Sequence, residues 1–314
     1  MGEDWLRPTG DGVGRVSEDP AAVAKYVAHL VGTLDHSLTG LKVVVDCANG
    51  AASEAAPAAL RAAGADVVAI HHTPDGYNIN HDCGSTHMAS LVEAVLAHGA
   101  DAGIAHDGDA DRCLAVDDAG NVVDGDQIMA ILALARSRDG GLARNTVVAT
   151  VMSNLGFKLA MAAAGLHVVE TGVGDRYVLE AMREHGYTLG GEQSGHIVMS
   201  DFGTTGDGVL TAMHLLAEVA RGSSLRELAG AMTRFPQVLI NVGGVDKAGL
   251  ESSEVVRSAV AAAEAELGDA GRVLLRVSGT EPLIRVMVEA DTHERADRIA
   301  SSLADVVRRE LSLP

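Results

Sequence analysis

Basic residues are scarce. The 314-residue chain carries 24 lysines and arginines against 43 aspartates and glutamates, a formal charge of -19. That balance argues against nucleic acid or an anionic membrane as a partner, although a local basic pocket can still hold a phosphate. Cysteine is scarce too: Cys47, Cys83 and Cys113 are an odd number, widely spaced and without a CxxC pair. Neither a disulfide framework nor a zinc knuckle is expected, and a reducing cytoplasm fits best. No window reaches about 18 uninterrupted apolar residues. The amino-terminal MGEDWLRPTG has no basic run leading into an apolar segment, so neither a membrane span nor an export signal is expected. No low-complexity linker or coiled coil appears. What remains, 47% apolar residues with frequent alanine and glycine, suits a compact α/β protein long enough for two or three domains, with a small-molecule partner.

The hydrophobic pattern predicts helices over 20–34, 54–63 and 88–98, alternating with strands over 41–46, 66–71, 101–107 and 113–118. A second cycle predicts helices over 127–138, 157–164 and 176–184 with strands over 145–152, 167–172 and 187–191, followed by helices over 208–221 and 225–232. Arg234-Phe235-Pro236 is a hinge candidate. The remainder reads as strand 237–242, helix 251–267, strands 272–277 and 283–290, and helix 293–311. Adjacent strands with no helix between them imply an antiparallel arrangement. The expected architecture is therefore α/β: two α/β domains of βαβ units, 16–116 and 117–233, followed by a C-terminal antiparallel α+β domain, 234–314.

Three stretches carry chemistry. In HDGDADR, Asp107, Asp109 and Asp111 recur every second residue on a strand-end loop, where open α/β sheets bind ligands. Two unit charges about 4 Å apart repel by roughly 4 kcal/mol at an effective dielectric near 20, so converging carboxylates need a cation or an escape into water. In extended backbone, residues i, i+2 and i+4 point the same way, which suits one hard cation such as Mg²⁺ with a phosphoryl oxygen completing its shell. Arg112 stands beside the cluster, able to steady that phosphoryl group. Its position excludes a calcium EF-hand, whose loop needs glycine there, and His106 is expected to pack rather than ligate. An aspartyl phosphatase with Asp109 as nucleophile lacks its expected threonine context. In GGEQSGH, Glu192, Ser194 and His196 alternate acceptors and donors, as suits sugar hydroxyls, though an ordinary polar turn reads equally well. TGVGDRYV, 171–178, places glycines before a helix, a weak anion-site pattern. In RVSGTEPLIR, Arg276 and Arg285 flank a tight loop holding Ser278, Gly279 and Thr280, and guanidinium forks match phosphate oxygens.

Taken together and in this order, DGDADR, GEQSGH and RVSGTEP resemble the α-D-phosphohexomutase family, and GYNINHDCGSTH, 76–87, is similar to its phosphoglucosamine mutase branch. The resemblance covers nearly the whole chain. It implies an isomerase that interconverts glucosamine 6-phosphate and glucosamine 1-phosphate, upstream of UDP-N-acetylglucosamine and the cell wall. A phosphomannomutase or phosphoglucomutase is the alternative within the family. It further implies Mg²⁺ held by Asp107, Asp109 and Asp111, Arg112 on the transferring phosphoryl group, Glu192 and Ser194 on sugar hydroxyls, with His196 beside them, and Arg276, Ser278, Gly279, Thr280 and Arg285 on the phosphate that is not reacting.

One element of the resemblance is missing. The family's Thr-Ala-Ser-His-Asn-Pro type catalytic loop has no counterpart, because the chain contains no Ser-His dipeptide. Residues 1–15 are expected to be the residual end of a missing first domain, leaving a chain that lacks the phosphoserine and is inactive alone. A separate phosphoserine domain is then an expected partner, and a non-catalytic phosphosugar-binding remnant is the alternative. Val277 stands where many relatives place proline.

Overall fold

The computed structural model describes residues 7–279 and 281–313. After α1 (Ala22–Gly32), the first lobe runs β1 (Lys42–Asp46), α2 (Ala52–Ala62), β2 (Asp66–Ile70), α3 (Ala89–His98), β3 (Ala102–Ala105), β4 (Leu114–Asp117) and β5 (Val122–Val123). The second runs α4 (Gly125–Arg138), β6 (Thr146–Thr150), α5 (Leu155–Ala163), β7 (His167–Thr171), α6 (Asp175–His185), β8 (Leu189–Gly191), β9 (Ile197–Met199), α7 (Gly208–Ala220) and α8 (Leu225–Ala229). The third holds β10 (Gln237–Gly243), α9 (Gly249–Ser252), α10 (Glu254–Leu267), β11 (Gly271–Val277), β12 (Leu283–Ala290) and α11 (His293–Leu311).

The first two lobes share a plan. In the order β2-β1-β3-β4-β5, the first three strands are parallel and β4 and β5 return antiparallel. The second sheet, β7-β6-β8-β9, is parallel until β9 returns. Central strands such as Val43-Val44-Val45 and Thr146–Thr150 are buried along nearly their whole length, because helices cover both faces and no position alternates outward. Each lobe thus ends its parallel run in a tight return hairpin at the carboxyl ends of the strands. Two motifs singled out in the sequence occupy those two turns.

The third lobe is the antiparallel sheet β10-β12-β11, matching the expected α+β unit. One face, carrying Val273, Leu275, Ile284, Val286 and Val288, packs on α10 and α11 in a core of its own. With a side-chain period of two, the opposite face carries Arg272, Arg276, Arg285 and Glu289. The helix expected over 251–267 is broken: Ser253 is extended, and its hydroxyl caps α10 by accepting from the Val256 N–H at 3.3 Å. The hinge candidate is pinned, since the Asn154 side chain accepts from the Phe235 N–H at 2.9 Å and donates to the Phe235 carbonyl at 3.0 Å.

Candidate functional site

The acidic loop, 106–113, is the turn between β3 and β4. Its base is fixed by backbone bonds: the His106 N–H donates to the Asp46 carbonyl at 3.0 Å, and Ala51 N–H to the Gly108 carbonyl at 2.8 Å. Asp107, Asp109 and Asp111 each offer a carboxylate oxygen, and these oxygens lie within 4.8 Å of one another. Burial, then the nearby charge of Asp107, pushes the Asp111 carboxyl up from its ordinary value. Asp111 Oδ1 is buried with no hydrogen-bond partner among the described residues. Unmatched negative charge converging from three carboxylates is what a hard divalent cation neutralises, so these residues fit magnesium. Arg112 offsets part of that charge, its Nε 3.4 Å from Asp107 Oδ2 and 3.7 Å from Asp111 Oδ1.

His106 is fully buried, with Nδ1 3.0 Å from the Arg112 carbonyl oxygen, so that nitrogen carries the proton and the loop is braced from within. Burial lowers the ring's pKa and keeps it neutral. It packs, as expected.

The second motif is the turn between β8 and β9, and it meets the first. The Cys113 N–H donates to the Gly195 carbonyl at 3.0 Å, and Arg112 and His196 form an antiparallel bridge. The two return hairpins therefore make one continuous wall. At the start of α7, Gly208 N–H donates to the Ala110 carbonyl at 2.9 Å. A Cβ there would stand 2.1 Å from the Arg112 carbonyl oxygen, so only glycine permits this approach.

Along that wall runs a cleft of about 370 Å³ lined by Arg112, Thr150, Met152, Val173, Glu192, Gln193 and Ser194. Glu192 is oriented by the Gly174 N–H, which donates to its Oε1 at 3.1 Å and ties in the TGVG turn. His196 does not line the cleft. It is 4% exposed, its ring presses on Gly206, and its Nε2 stands 3.5 Å from Asp111 Oδ2. The short hairpin turns it inward, under the acidic loop. Thr150 and Met152, at the carboxyl end of β6, were missed in the sequence. Their place at the end of a parallel strand was the available signal.

In the third lobe, Arg276 and Arg285 are directly paired across β11 and β12. Arg285 Nη2 donates to Glu281 Oε2 at 3.0 Å, while the Nε of each arginine is buried without a partner among the described residues. Burial, then the Arg285 charge, lowers the Arg276 pKa. Two like charges opposed on neighbouring strands are unfavourable until an anion joins them. The Ser278 hydroxyl is buried and accepts from the Glu281 N–H at 3.2 Å, Gly279 is exposed, and Thr280 lies outside the described residues. Lys247, which no motif marks, donates from Nζ to the Ser278 carbonyl at 2.6 Å and the Glu281 carbonyl at 3.1 Å. It also borders a cavity of about 880 Å³ that extends over Leu250, Val256, Leu275 and Arg276. That cavity is larger than the cleft, but it holds none of the acidic-loop residues.

Family comparisons match three consecutive units: the phosphoglucomutase/phosphomannomutase alpha/beta/alpha domain II over 24–120, domain III over 124–235 and the C-terminal domain over 239–306. A phosphoglucosamine mutase of Nocardioides sp. is 64% identical over 314 residues, covering all of this chain and 70% of that protein. One of Thermobifida fusca is 65% identical with the same coverage. Among solved structures, a phosphoglucomutase/phosphomannomutase family protein of Burkholderia thailandensis superposes with a TM-score of 0.77 at 24% identity, over 93% of this chain and 66% of that one. Aspergillus fumigatus N-acetylphosphoglucosamine mutase, in complex with GlcNAc-6P and magnesium, gives 0.73 at 21% identity, over 91% of this chain and 64% of that one. The structural likenesses speak to the fold. Among the described residues, no helix is long and apolar enough to cross a membrane.

Proposed function

Since the chain belongs to the phosphoglucomutase/phosphomannomutase family, in its phosphoglucosamine mutase branch, we propose that it forms the metal-, sugar- and phosphate-binding parts of an isomerase interconverting glucosamine 6-phosphate and glucosamine 1-phosphate. The observation that carries this reading is the fusion of the two return hairpins, which sets Arg112 in one cleft with Glu192 and Ser194.

On this reading Asp107, Asp109 and Asp111 hold Mg²⁺, in the domain 16–116. The ion would neutralise charge on the oxygens of the transferring phosphoryl group. Arg112 contacts that group from the cleft. Glu192 and Ser194, from the domain 117–233, bind sugar hydroxyls, and His196 orients Asp111 from below. Arg276, Arg285, Ser278 and Gly279, with Thr280, grip the distal phosphate from the domain 234–314. A remote grip suits a reaction in which either end of the sugar must take either phosphate position, because binding energy away from the reacting bond orients it. The phosphoryl-carrying serine is supplied from outside these 314 residues, and the reducing cytoplasm suits three buried free cysteines.

The test is calorimetric titration of the 314-residue chain with glucosamine 6-phosphate in magnesium, beside glucose 6-phosphate and mannose 6-phosphate. Preferential binding of the amino sugar supports the branch assigned. Preference for a non-amino hexose would move the chain to the phosphomannomutase or phosphoglucomutase reading, and no binding at all would overturn the site. Adding a separately made phosphoserine domain should then produce turnover that the chain alone lacks.

A further inference from the structure

Beneath the acidic loop, three side chains unused by the proposed chemistry converge from separate segments. Asp46 ends β1, His71 follows β2, and Cys83 precedes the turn at Gly84. One donor atom from each lies within 4.8 Å of the other two. Asp46 and Cys83 are fully buried. Backbone amides aim the carboxylate: Ala48 N–H donates to Oδ1 and Gly84 N–H to Oδ2, each at 2.9 Å. His71 Nδ1 stands 3.0 Å from Asp46 Oδ2, yet it is buried and makes no well-directed hydrogen bond among the described residues. The Cys83 thiol meets only a weak contact from Asn49 Nδ2, at 3.9 Å.

The chemistry of this donor set is specific. A thiolate, an imidazole nitrogen and a carboxylate oxygen are the ligands of zinc, whereas magnesium demands oxygen throughout. Zinc bonds of about 2.0–2.3 Å in a tetrahedron separate neighbouring donors by roughly 3.3–3.7 Å, so the cluster needs only small adjustment. Asp46 and a Cys83 thiolate together would supply two negative charges against one divalent ion. His71 also holds φ +46, a left-handed conformation that costs a side chain roughly 1–2 kcal/mol. A turn alone would be made more cheaply by glycine.

We propose that Asp46, His71 and Cys83 form a second cation site, distinct from the aspartate loop and selective for a thiophilic divalent ion of the zinc type. On binding, the Cys83 S–H bond breaks, sulfur donates the freed electron pair to the metal, and the proton leaves to solvent. Water fills the fourth position. The ion would tie the ends of β1 and β2 to the Gly84 turn. That turn in turn supports the acidic loop, since the Ser85 N–H donates to the His106 carbonyl at 2.8 Å. The site does not depend on the mutase reading.

The whole chain, stripped with chelator and held in excess magnesium, is titrated with zinc and, as a spectroscopic probe, with cobalt. One equivalent should bind, and cobalt should give the visible bands of a tetrahedral ion with a near-ultraviolet thiolate charge-transfer band. Cys83→Ser should abolish that band. His71→Asn, at a half-buried position where asparagine also tolerates positive φ, should weaken zinc by roughly tenfold or more. Asp109→Asn should change neither. The proposal is overturned if cobalt binds without a thiolate band, if the band survives Cys83→Ser, if folded His71→Asn binds zinc unchanged, or if Asp109→Asn removes the binding.

Discussion

Arg272 and Glu289 face each other across β11 and β12, with Nε 2.7 Å from Oε2, at the joint between the second and third lobes. Glu289 is fully buried, and its Oε2 also accepts from the Leu155 N–H at 2.8 Å. Arg272 donates to the Val151 carbonyl at 2.9 Å and the Ser153 carbonyl at 2.6 Å. The segment that leaves the cleft at Thr150 and Met152 is thus bolted to the strand pair that carries Arg276 and Arg285. Four residues of strand, about 13 Å, separate the bolt from Arg276 and Arg285.

Breaking this pair should be expensive in stability. Glu289→Ala leaves Arg272 buried against carbonyls with no counter-charge, and removing one partner of a buried pair costs about 3–5 kcal/mol. The joint replacement Arg272→Met with Glu289→Leu should cost less than Glu289→Ala alone. Urea unfolding of the two variants beside the original chain checks the order. A Glu289→Ala chain as stable as the original would mean that the lobes are held together elsewhere.

Asp126, in the first turn of α4, predicts a pH dependence. Burial pushes its carboxyl up to about 7, although the Asn154 N–H donates to it at 2.7 Å. The folded chain therefore keeps a proton that the unfolded chain, with an ordinary aspartate, releases near pH 4. Between those values the folded state binds more protons, so this residue's contribution falls as pH rises and is lost above about 7. At about 1.4 kcal/mol per unit, the loss approaches 4 kcal/mol at most. Asp126→Asn should remove it, so the stability difference between variant and original should grow in the variant's favour from pH 5 to pH 8. A difference flat across that range would refute the buried neutral carboxyl.

Much of this was legible in the sequence because alternation and loop position are local properties. Arg276 and Arg285 stand symmetrically about a tight loop, and strand register alone makes them partners. Asp107, Asp109 and Asp111 share one turn, so their convergence needed no tertiary information. The burial of His196 was not legible, because β9 is only three residues long, too short to announce the hairpin that turns the ring inward. Lys247 and the Arg272–Glu289 bolt were invisible, since each acts on a segment distant in the chain and belongs to no motif. The group of Asp46, His71 and Cys83 was hidden in the same way.

Lys247 offers a test of how the loop proposed to hold the distal phosphate keeps its shape. Its ammonium pulls the Ser278 carbonyl to one side, and because the peptide is planar and trans, the Gly279 N–H must face the other. Lys247→Met keeps much of the apolar stem but frees the loop. Sugar-phosphate affinity should fall by roughly tenfold, as for loss of one charge-assisted hydrogen-bond donor of about 1.5 kcal/mol, with little change in magnesium affinity. Lys247→Arg should recover part of the loss. Equal affinities in calorimetric titrations of the original and Lys247→Met would show that the loop holds its shape unaided.

Arg276 predicts opposite effects on stability and on binding. Its guanidinium is opposed to that of Arg285, and Glu281 pairs with Arg285, so Arg276 carries the uncompensated charge in the ligand-free chain. Arg276→Met relieves that repulsion and retains a long apolar stem. Without ligand the variant should melt at the same temperature as the original or above it, while sugar-phosphate affinity falls by about ten- to a hundredfold, the range for losing one or two charge-assisted contacts. Raising phosphate concentration should stabilise the original more than the variant, because a ligand bound only by the folded state stabilises in proportion to its affinity. Thermal melts across a phosphate series read both effects together. If Arg276→Met is destabilised without phosphate and equally responsive to it, the arginine pair is a packing feature of β11 and β12, and the distal phosphate must be gripped by other groups.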